Sequence, residues 1–199
     1  MAEQDPLKEL RRAILARRRQ VTSEESLAAG RAVLSFLEGD DFFKKPRIVA
    51  SYVSVRGEVG TAPVNSWLVK GGHTLALPVV DPVKDGEMGF YRATASTALA
   101  PGRYGIGEPE PVPALFVSET DLDAVLLPLV GFDLEGNRLG MGGGYYDRLL
   151  KKVRPSARLI GLAYDFQKVG HLEARDWDMR IDEVVTPSGR VRFKAQGRG

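Results

Sequence analysis

The densest concentration of residues able to do chemistry begins at Gly131 and reads GFDLEGNRLGMGGGYYDRLL. Gly140, Gly142, Gly143 and Gly144 crowd into five positions directly before a segment that reads as a helix. Glycines there allow positive φ and let bare backbone N–H groups approach an anion, while the start of the helix adds partial positive charge. A phosphate is the guest that such a loop suits. Arg138 can offer a charged fork to phosphate oxygens, and Asp147, in the first turn of the helix, is placed to hold a Mg²⁺ that bridges them. On these residues alone a plain glycine-rich turn, with Asp147 as a favourable first-turn acid, is the competing reading.

Two nucleotide motifs fare worse. No Lys followed by Ser or Thr is present, so the loop is not a P-loop. A dinucleotide fingerprint is a closer rival, because Gly140, Gly142 and Asp165 sit at suggestive spacing. The preceding strand, however, ends near Val130, some nine residues before the first of these glycines, and the fingerprint demands a tight strand-to-helix turn. Tyr145 also occupies the place of its last small residue.

Other candidates are scattered. Glu58, in SVRGEVGTAPV, follows a strand and precedes a helix that Thr61 can cap; in a cleft its carboxylate can accept from the N–H groups of a heterocycle or an amide, and on a surface it would merely be solvated. Tyr104, in GRYGIGEP, can supply a stacking surface for a ring. Asp176, Asp178, Asp182 and Glu183 form a second acidic group in RDWDMRIDEVV, read as loop carboxylates, one of which joins Asp147 as a metal ligand if the chain returns it there. The two histidines, His73 and His171, stand near no Ser or carboxylate that would make a nucleophile with its base, and both read as structural. Phosphoryl transfer fits better, since backbone amides, Arg and Mg²⁺ catalyse it by positioning and electrostatics without a covalent intermediate.

Periodicity supplies the elements that must position these residues. Helices are expected over 7–20 and 22–37, the second capped by Thr22 or Ser23. Strands at 47–54 and 73–80 flank a helix at 62–70 that Gly71 and Gly72 end. A short strand at 88–92, a loop at 101–113, a strand at 124–130, a helix at 145–152 and a strand at 158–164 complete the alternation. The expected fold is α/β: a three-layer αβα arrangement with a mainly parallel sheet, a single domain spanning 1–199. Ligands bind such sheets beyond the carboxyl ends of the strands, which singles out the loops after Ser54, Val80, Val130 and Tyr164.

Composition narrows the class. At 199 residues with 43% hydrophobic content the chain can bury a sizeable core. Its longest apolar stretch, 124–132, falls well short of the roughly 20 residues of a membrane span, and the acidic start through Asp5 and Pro6 lacks a signal-peptide apolar region. Without cysteine there is no disulfide and no thiolate nucleophile, so a cytoplasmic location is expected. A net charge of +2 does not suggest a dedicated nucleic-acid binder. Arg11, Arg12, Arg17, Arg18 and Arg19 nonetheless cluster near the start, as a solvated helix face or, for one or two of them, a phosphate contact. A nucleic-acid module is the rival reading they motivate.

The glycine segment is similar, nearly position for position, to the signature of the 5-formyltetrahydrofolate cyclo-ligase family. LRRAILARRRQVTSEE, YVSVRGEVGT, GIGEP and the run from IGLAYDFQ to MRIDEVVT resemble the family in the same order. The resemblance implies that ATP and Mg²⁺ drive conversion of 5-formyltetrahydrofolate to 5,10-methenyltetrahydrofolate, releasing ADP and phosphate through a phosphorylated imidate. It implies ATP binding by Lys8, Arg11, Arg138, Leu139, Gly140, Met141, Gly142, Gly143, Gly144, Tyr145 and Tyr146. Mg²⁺ would fall to Asp147 and Asp178, and folate to Val53, Glu58, Tyr104 and the run Met141 to Tyr145, with Glu58, Arg138 and Tyr145 at the chemistry. The partner expected is a small folate, with no nucleic acid, no membrane, and a monomeric or weakly dimeric state. Leu7 stands where the family commonly has Lys, with Lys8 one position off, and Met141 and Gly143 stand where some members carry a basic residue.

Overall fold

The computed structural model describes residues 5–173 and 178–193. The first helix, α1 (Pro6–Arg18), starts where the Asp5 carboxylate accepts from the Leu7 N–H at 3.0 Å, with Pro6 entering the first turn. In α2 (Ser23–Glu38) Thr22 and Glu25 close a full capping box. The chain continues through β1 (Ile48–Ala50), α3 (Ala62–Lys70), β2 (Thr74–Val80), β3 (Met88–Ala93), β4 (Leu99–Pro101), β5 (Gly107–Pro109) and β6 (Phe116–Val117). It then forms β7 (Ala124–Pro128), β8 (Gly131–Phe132), β9 (Arg138–Leu139), α4 (Tyr145–Leu150), β10 (Arg158–Leu162), β11 (Glu183–Thr186) and β12 (Gly189–Arg192).

Eight strands form one sheet in the order β12-β11-β10-β7-β1-β2-β3-β6. The pairings from β11 through β10, β7 and β1 to β2 are parallel, and β12, β3 and β6 add antiparallel edges. Alternate residues of the central strands enter opposite layers. Val49, Leu75, Leu77, Leu126, Ile160 and Val185 pack with α2 and α3, whereas Ala50, Ala76, Val125, Leu127, Leu159 and Val184 pack with Leu149 and Leu150 of α4. Helices thus cover both faces, as parallel strands require. From β1 the chain steps outward to β2, but from β7 it steps the other way to β10 and β11. The order reverses between β1 and β7, and the crevice beyond their carboxyl ends is where this architecture places ligands.

Several elements differ from the sequence-based expectation. The strand over 47–54 is only three residues long. The Ser51 N–H continues the ladder to the Ala76 carbonyl, after which the backbone bonds to side chains instead. Within the expected loop at 101–113 lies β5, which pairs with β4 as a small hairpin. Asp182 and Glu183 are not part of a solvated acidic loop. The Asp182 carboxylate accepts from the Leu159 N–H at 2.7 Å, and Glu183 is buried at the start of β11 among Arg158, Arg190 and Arg192, with Asp40 beside it. That charge cluster sits at the amino end of β10, opposite the crevice. Asp176 lies outside the described residues.

One close approach fixes the crevice wall. A Cβ at Gly30 of α2 would stand 1.9 Å from the Gly60 carbonyl oxygen, in the loop that follows β1. Both partners are backbone, so neither yields by rotating a side chain. Gly30→Ala is expected to lose about 1–3 kcal/mol, the usual cost of overpacking. A thermal midpoint equal to the wild type's would show that the helix and loop are free to separate.

Candidate active site

After β1 the chain turns back sharply through Arg56 at φ 52° and Gly57 at φ 72°. Side chains take over the bonding of this loop. The Tyr52 carbonyl accepts from the Thr61 hydroxyl at 2.7 Å and the Asn65 amide at 3.1 Å, and the backbone N–H groups of Ser54 and Thr61 each donate to the other's hydroxyl oxygen at 3.1 Å. Thr61 therefore makes no side-chain cap to α3; its hydroxyl serves the loop instead. The Glu58 carbonyl accepts from the Ser26 hydroxyl at 2.7 Å and the Tyr164 hydroxyl at 3.1 Å, so α2 and the end of β10 both grip it.

The Glu58 side chain points inward and is 11% exposed. Its Oε2 accepts from the Val55 N–H at 3.0 Å, and its Oε1 lies 3.5 Å from an Nη of Arg18. Burial pushes the Glu58 carboxyl above its usual range, and Arg18 opposes that shift. Arg18, 2% exposed, also donates to the carbonyls of Arg56 at 3.2 Å and Leu129 at 3.3 Å. One guanidinium thereby joins the loops after β1 and β7 across the switch point. Sequence reasoning grouped Arg18 with a surface cluster and missed this. The signal was present, since Arg18 falls one helical turn after the buried Ile14.

Between β7 and α4 the interval that disfavoured a dinucleotide fingerprint is filled by the β8–β9 hairpin. Asp133 closes its turn, accepting from the N–H groups of Glu135 at 2.9 Å and Asn137 at 3.0 Å. The hairpin delivers Arg138 and then the glycines, with Gly142 at φ 97° and Gly144 at φ 69°. The N–H groups of Gly140 to Gly144 donate to no acceptor among the described residues. Their carbonyls are braced instead: Arg11 of α1 donates to Gly140 at 2.9 Å, and Arg148 to Gly143 at 2.6 Å while its Nε holds Gly86 at 2.8 Å. Arg138, its side chain 5% exposed, is paired with Asp147 through Nη2, and its buried Nε has no acceptor among the described residues. That is a desolvated, charged donor of the kind an anion satisfies.

Other expected site residues occupy the walls. Tyr104 and Tyr145 meet hydroxyl to hydroxyl at 2.8 Å with their rings edge-on, and this bond raises the Tyr145 pKa. Arg56 donates to the Tyr104 carbonyl at 3.3 Å, so the turn between β4 and β5 leans over the crevice from the glycine side to the Glu58 side. The Tyr146 hydroxyl is made less acidic by burial and then by Glu58, while Arg138 acts the other way. Tyr146 thus lies within electrostatic reach of both halves. Val53 packs against the α2–α3 layer, Leu139 is buried against Ile14, and Met141 and Lys8 are exposed.

The arginine cluster is dispersed: Arg18 is buried, Arg11 holds Gly140, and Arg17 lies 4.4 Å over the Phe166 ring. Among the described residues no three His, Cys, Asp or Glu side chains gather as a metal group. A Mg²⁺ here would need ligand oxygens to complete its shell. Asp147 suits that arrangement, as a hard carboxylate 30% exposed beside the glycine loop. Asp178 stands at the edge of the described chain before β11, with a partner of its own.

Fold and crevice together define an α/β enzyme whose site straddles the switch point of its sheet. The chain belongs to the 5-formyltetrahydrofolate cyclo-ligase family, whose sequence profile matches residues 4–187. It is 34% identical over 180 residues to the 5-formyltetrahydrofolate cyclo-ligase of Escherichia coli K12, covering 88% of this chain and 97% of that one. The structure of 5,10-methenyltetrahydrofolate synthetase from Aquifex aeolicus superposes with a TM-score of 0.81 at 36% identity, over 96% of this chain and 94% of the other. The corresponding enzyme of Mycoplasma pneumoniae gives 0.72 at 25% identity, over 92% and 99%. Among the described residues no helix is long and apolar enough to cross a membrane.

Proposed function

We propose that the protein is an ATP- and Mg²⁺-dependent 5-formyltetrahydrofolate cyclo-ligase, releasing ADP and phosphate as it forms 5,10-methenyltetrahydrofolate. The observation that carries this reading is the pairing of two unlike walls in one crevice. On one side five N–H groups and the Nε of Arg138 have no acceptor among the described residues; on the other lies a buried carboxylate, Glu58, suited to N–H donors. The first wall suits a triphosphate, and the second the amino and ring N–H groups of a pterin.

The formyl oxygen attacks the γ-phosphorus, the bond to ADP breaks, and the formyl carbon becomes a phosphorylated imidate. N10 then attacks that carbon, loses its proton, and phosphate leaves as the ring closes. Phosphorylation turns a poor leaving oxygen into a good one. In this reading the Gly140–Gly144 amides and Arg138 hold the phosphates in line, and Glu58 orients the pterin so that N5 and N10 face the γ-phosphate. Tyr104 and Tyr145 cover the reacting groups and limit hydrolysis of the imidate. Asp147 would hold Mg²⁺, which when bound neutralises phosphate charge. An absorbance assay for methenyltetrahydrofolate with ATP, Mg²⁺ and 5-formyltetrahydrofolate tests the reading directly. ATP-dependent product formation supports it, and no product at any protein concentration rejects it.

A pH dependence follows from Glu58. The carboxylate must be ionised to accept from the pterin, and its pKa lies above the usual 4.5 because of burial. Folate affinity is therefore expected to hold at neutral pH and to fall as pH drops through a value above 4.5. Glu58→Gln, which accepts hydrogen bonds but does not titrate, should weaken folate binding and abolish that acid limb in a plot of folate KM against pH. An identical limb in the variant would assign it to another group.

A further inference from the structure

The loop that carries Glu58 begins with a buried tyrosine hydroxyl that has no role in the fold or the mechanism. Tyr52 follows β1 at the switch point, is 4% exposed, and its hydroxyl is buried with no hydrogen-bond partner among the described residues. Its place is not accidental slack, because the Tyr52 carbonyl is pinned by both Thr61 and Asn65. After burial, the strongest influence on the hydroxyl is the negative charge of Glu58, followed by Tyr146, Arg18 and Tyr164. The Glu58 carboxylate, in the same loop after β1, is itself incompletely bonded among the described residues: Oε2 takes the Val55 N–H, whereas Oε1 has the ion pair with Arg18 at 3.5 Å. One loop thus holds both a buried donor without an acceptor and a buried acceptor oxygen without a hydrogen bond, and the two interact electrostatically.

We infer that Tyr52 is a positioning residue of the folate site, whose hydroxyl donates to the Glu58 carboxylate once folate engages it. The free protein then holds the phenol unsatisfied, and a slight turn of the carboxylate toward the pterin N–H groups completes the bond. Three donors around one carboxylate, from Tyr52, Val55 and the ligand, fix its plane. Buried polar groups left unpaired are costly, and such strain concentrates where function requires it. The inference rests on the reading that Glu58 meets folate.

The two are separable by Tyr52→Phe, Glu58→Gln and the double variant, using folate KM, ATP KM, kcat and thermal unfolding of the free protein. Removing the hydroxyl should raise folate KM about tenfold, the worth of one hydrogen bond to a charged group, with ATP KM and kcat nearly unchanged. The thermal midpoint should stay level or rise, since an unsatisfied group has been deleted; a merely structural tyrosine would lower it. In the Glu58→Gln background the same change should add little. A wild-type folate KM in Tyr52→Phe, a lowered midpoint, or an undiminished effect in the double variant overturns the inference while leaving the cyclo-ligase reading intact. An unchanged folate KM in Glu58→Gln overturns the inference together with the assignment of Glu58 to folate.

Discussion

Asp147→Asn is expected to lower kcat/KM by about a thousandfold or more, roughly 4 kcal/mol of transition-state stabilisation, while the fold survives. The substitution keeps an oxygen where Arg138 donates, so the pair between the two residues is retained in weakened form. What disappears is the charge. A neutral amide is a poor ligand for Mg²⁺, and without the metal the γ-phosphate carries its full negative charge into the reaction. Steady-state kinetics with a Mg²⁺ titration reads the effect, and extra Mg²⁺ should recover only part of it. If instead Asp147 serves only to anchor Arg138, the variant will lose stability but turn over normally.

The second large effect belongs to Arg18. Arg18→Met preserves much of the side-chain volume but leaves a buried carboxylate without its cation and two carbonyls without their donor. Breaking a buried pair from one side typically costs about 3–5 kcal/mol. The sign of its pH dependence is fixed. Glu58 already has a folded-state pKa above its ordinary value, and losing Arg18 raises it further. A raised carboxyl pKa favours the folded state at low pH, so the deficit of the variant should be least below about pH 4, near the unfolded value, and grow as pH rises through the folded pKa. Denaturant unfolding of both proteins at several pH values measures this. A deficit independent of pH would mean that the two carbonyl contacts, and not the charge, are what Arg18 supplies.

Much of this arrangement was legible in the residues. The period of the buried strands and their alternation with helices announces a covered parallel sheet, and strand-end logic then selects the loops holding Glu58 and the glycines. The glycine run declares itself because four glycines crowd into five positions directly before a helix. Contacts between segments distant in sequence were harder to read. Arg18 looked like one arginine among several, since its partner Glu58 is 40 residues away and becomes adjacent only when α1 crosses the switch point. Glu183 resembled a loop acid because its strand is short and the neutralising Arg158, Arg190 and Arg192 come from other strands or beyond the next turn. Tyr52 read as an ordinary strand tyrosine; only a full accounting of its hydroxyl separates it from the core.

The geometry also bears on the departure from the family pattern at the start of α1. Arg11 is committed to the Gly140 carbonyl, so in this chain it shapes the glycine loop at least as much as it faces a nucleotide. Lys8, one turn earlier, is exposed, as is Arg12 on the same helix.

The central claim is that the amides of Gly140 to Gly144 grip a phosphate chain. Backbone amide spectra recorded while a non-hydrolysable ATP analogue with Mg²⁺ is added, folate absent, test it most directly. Saturable shifts concentrated in those five residues and in the Arg138 Nε–H are expected. Saturation that leaves these signals in place, or no binding at all, would contradict it.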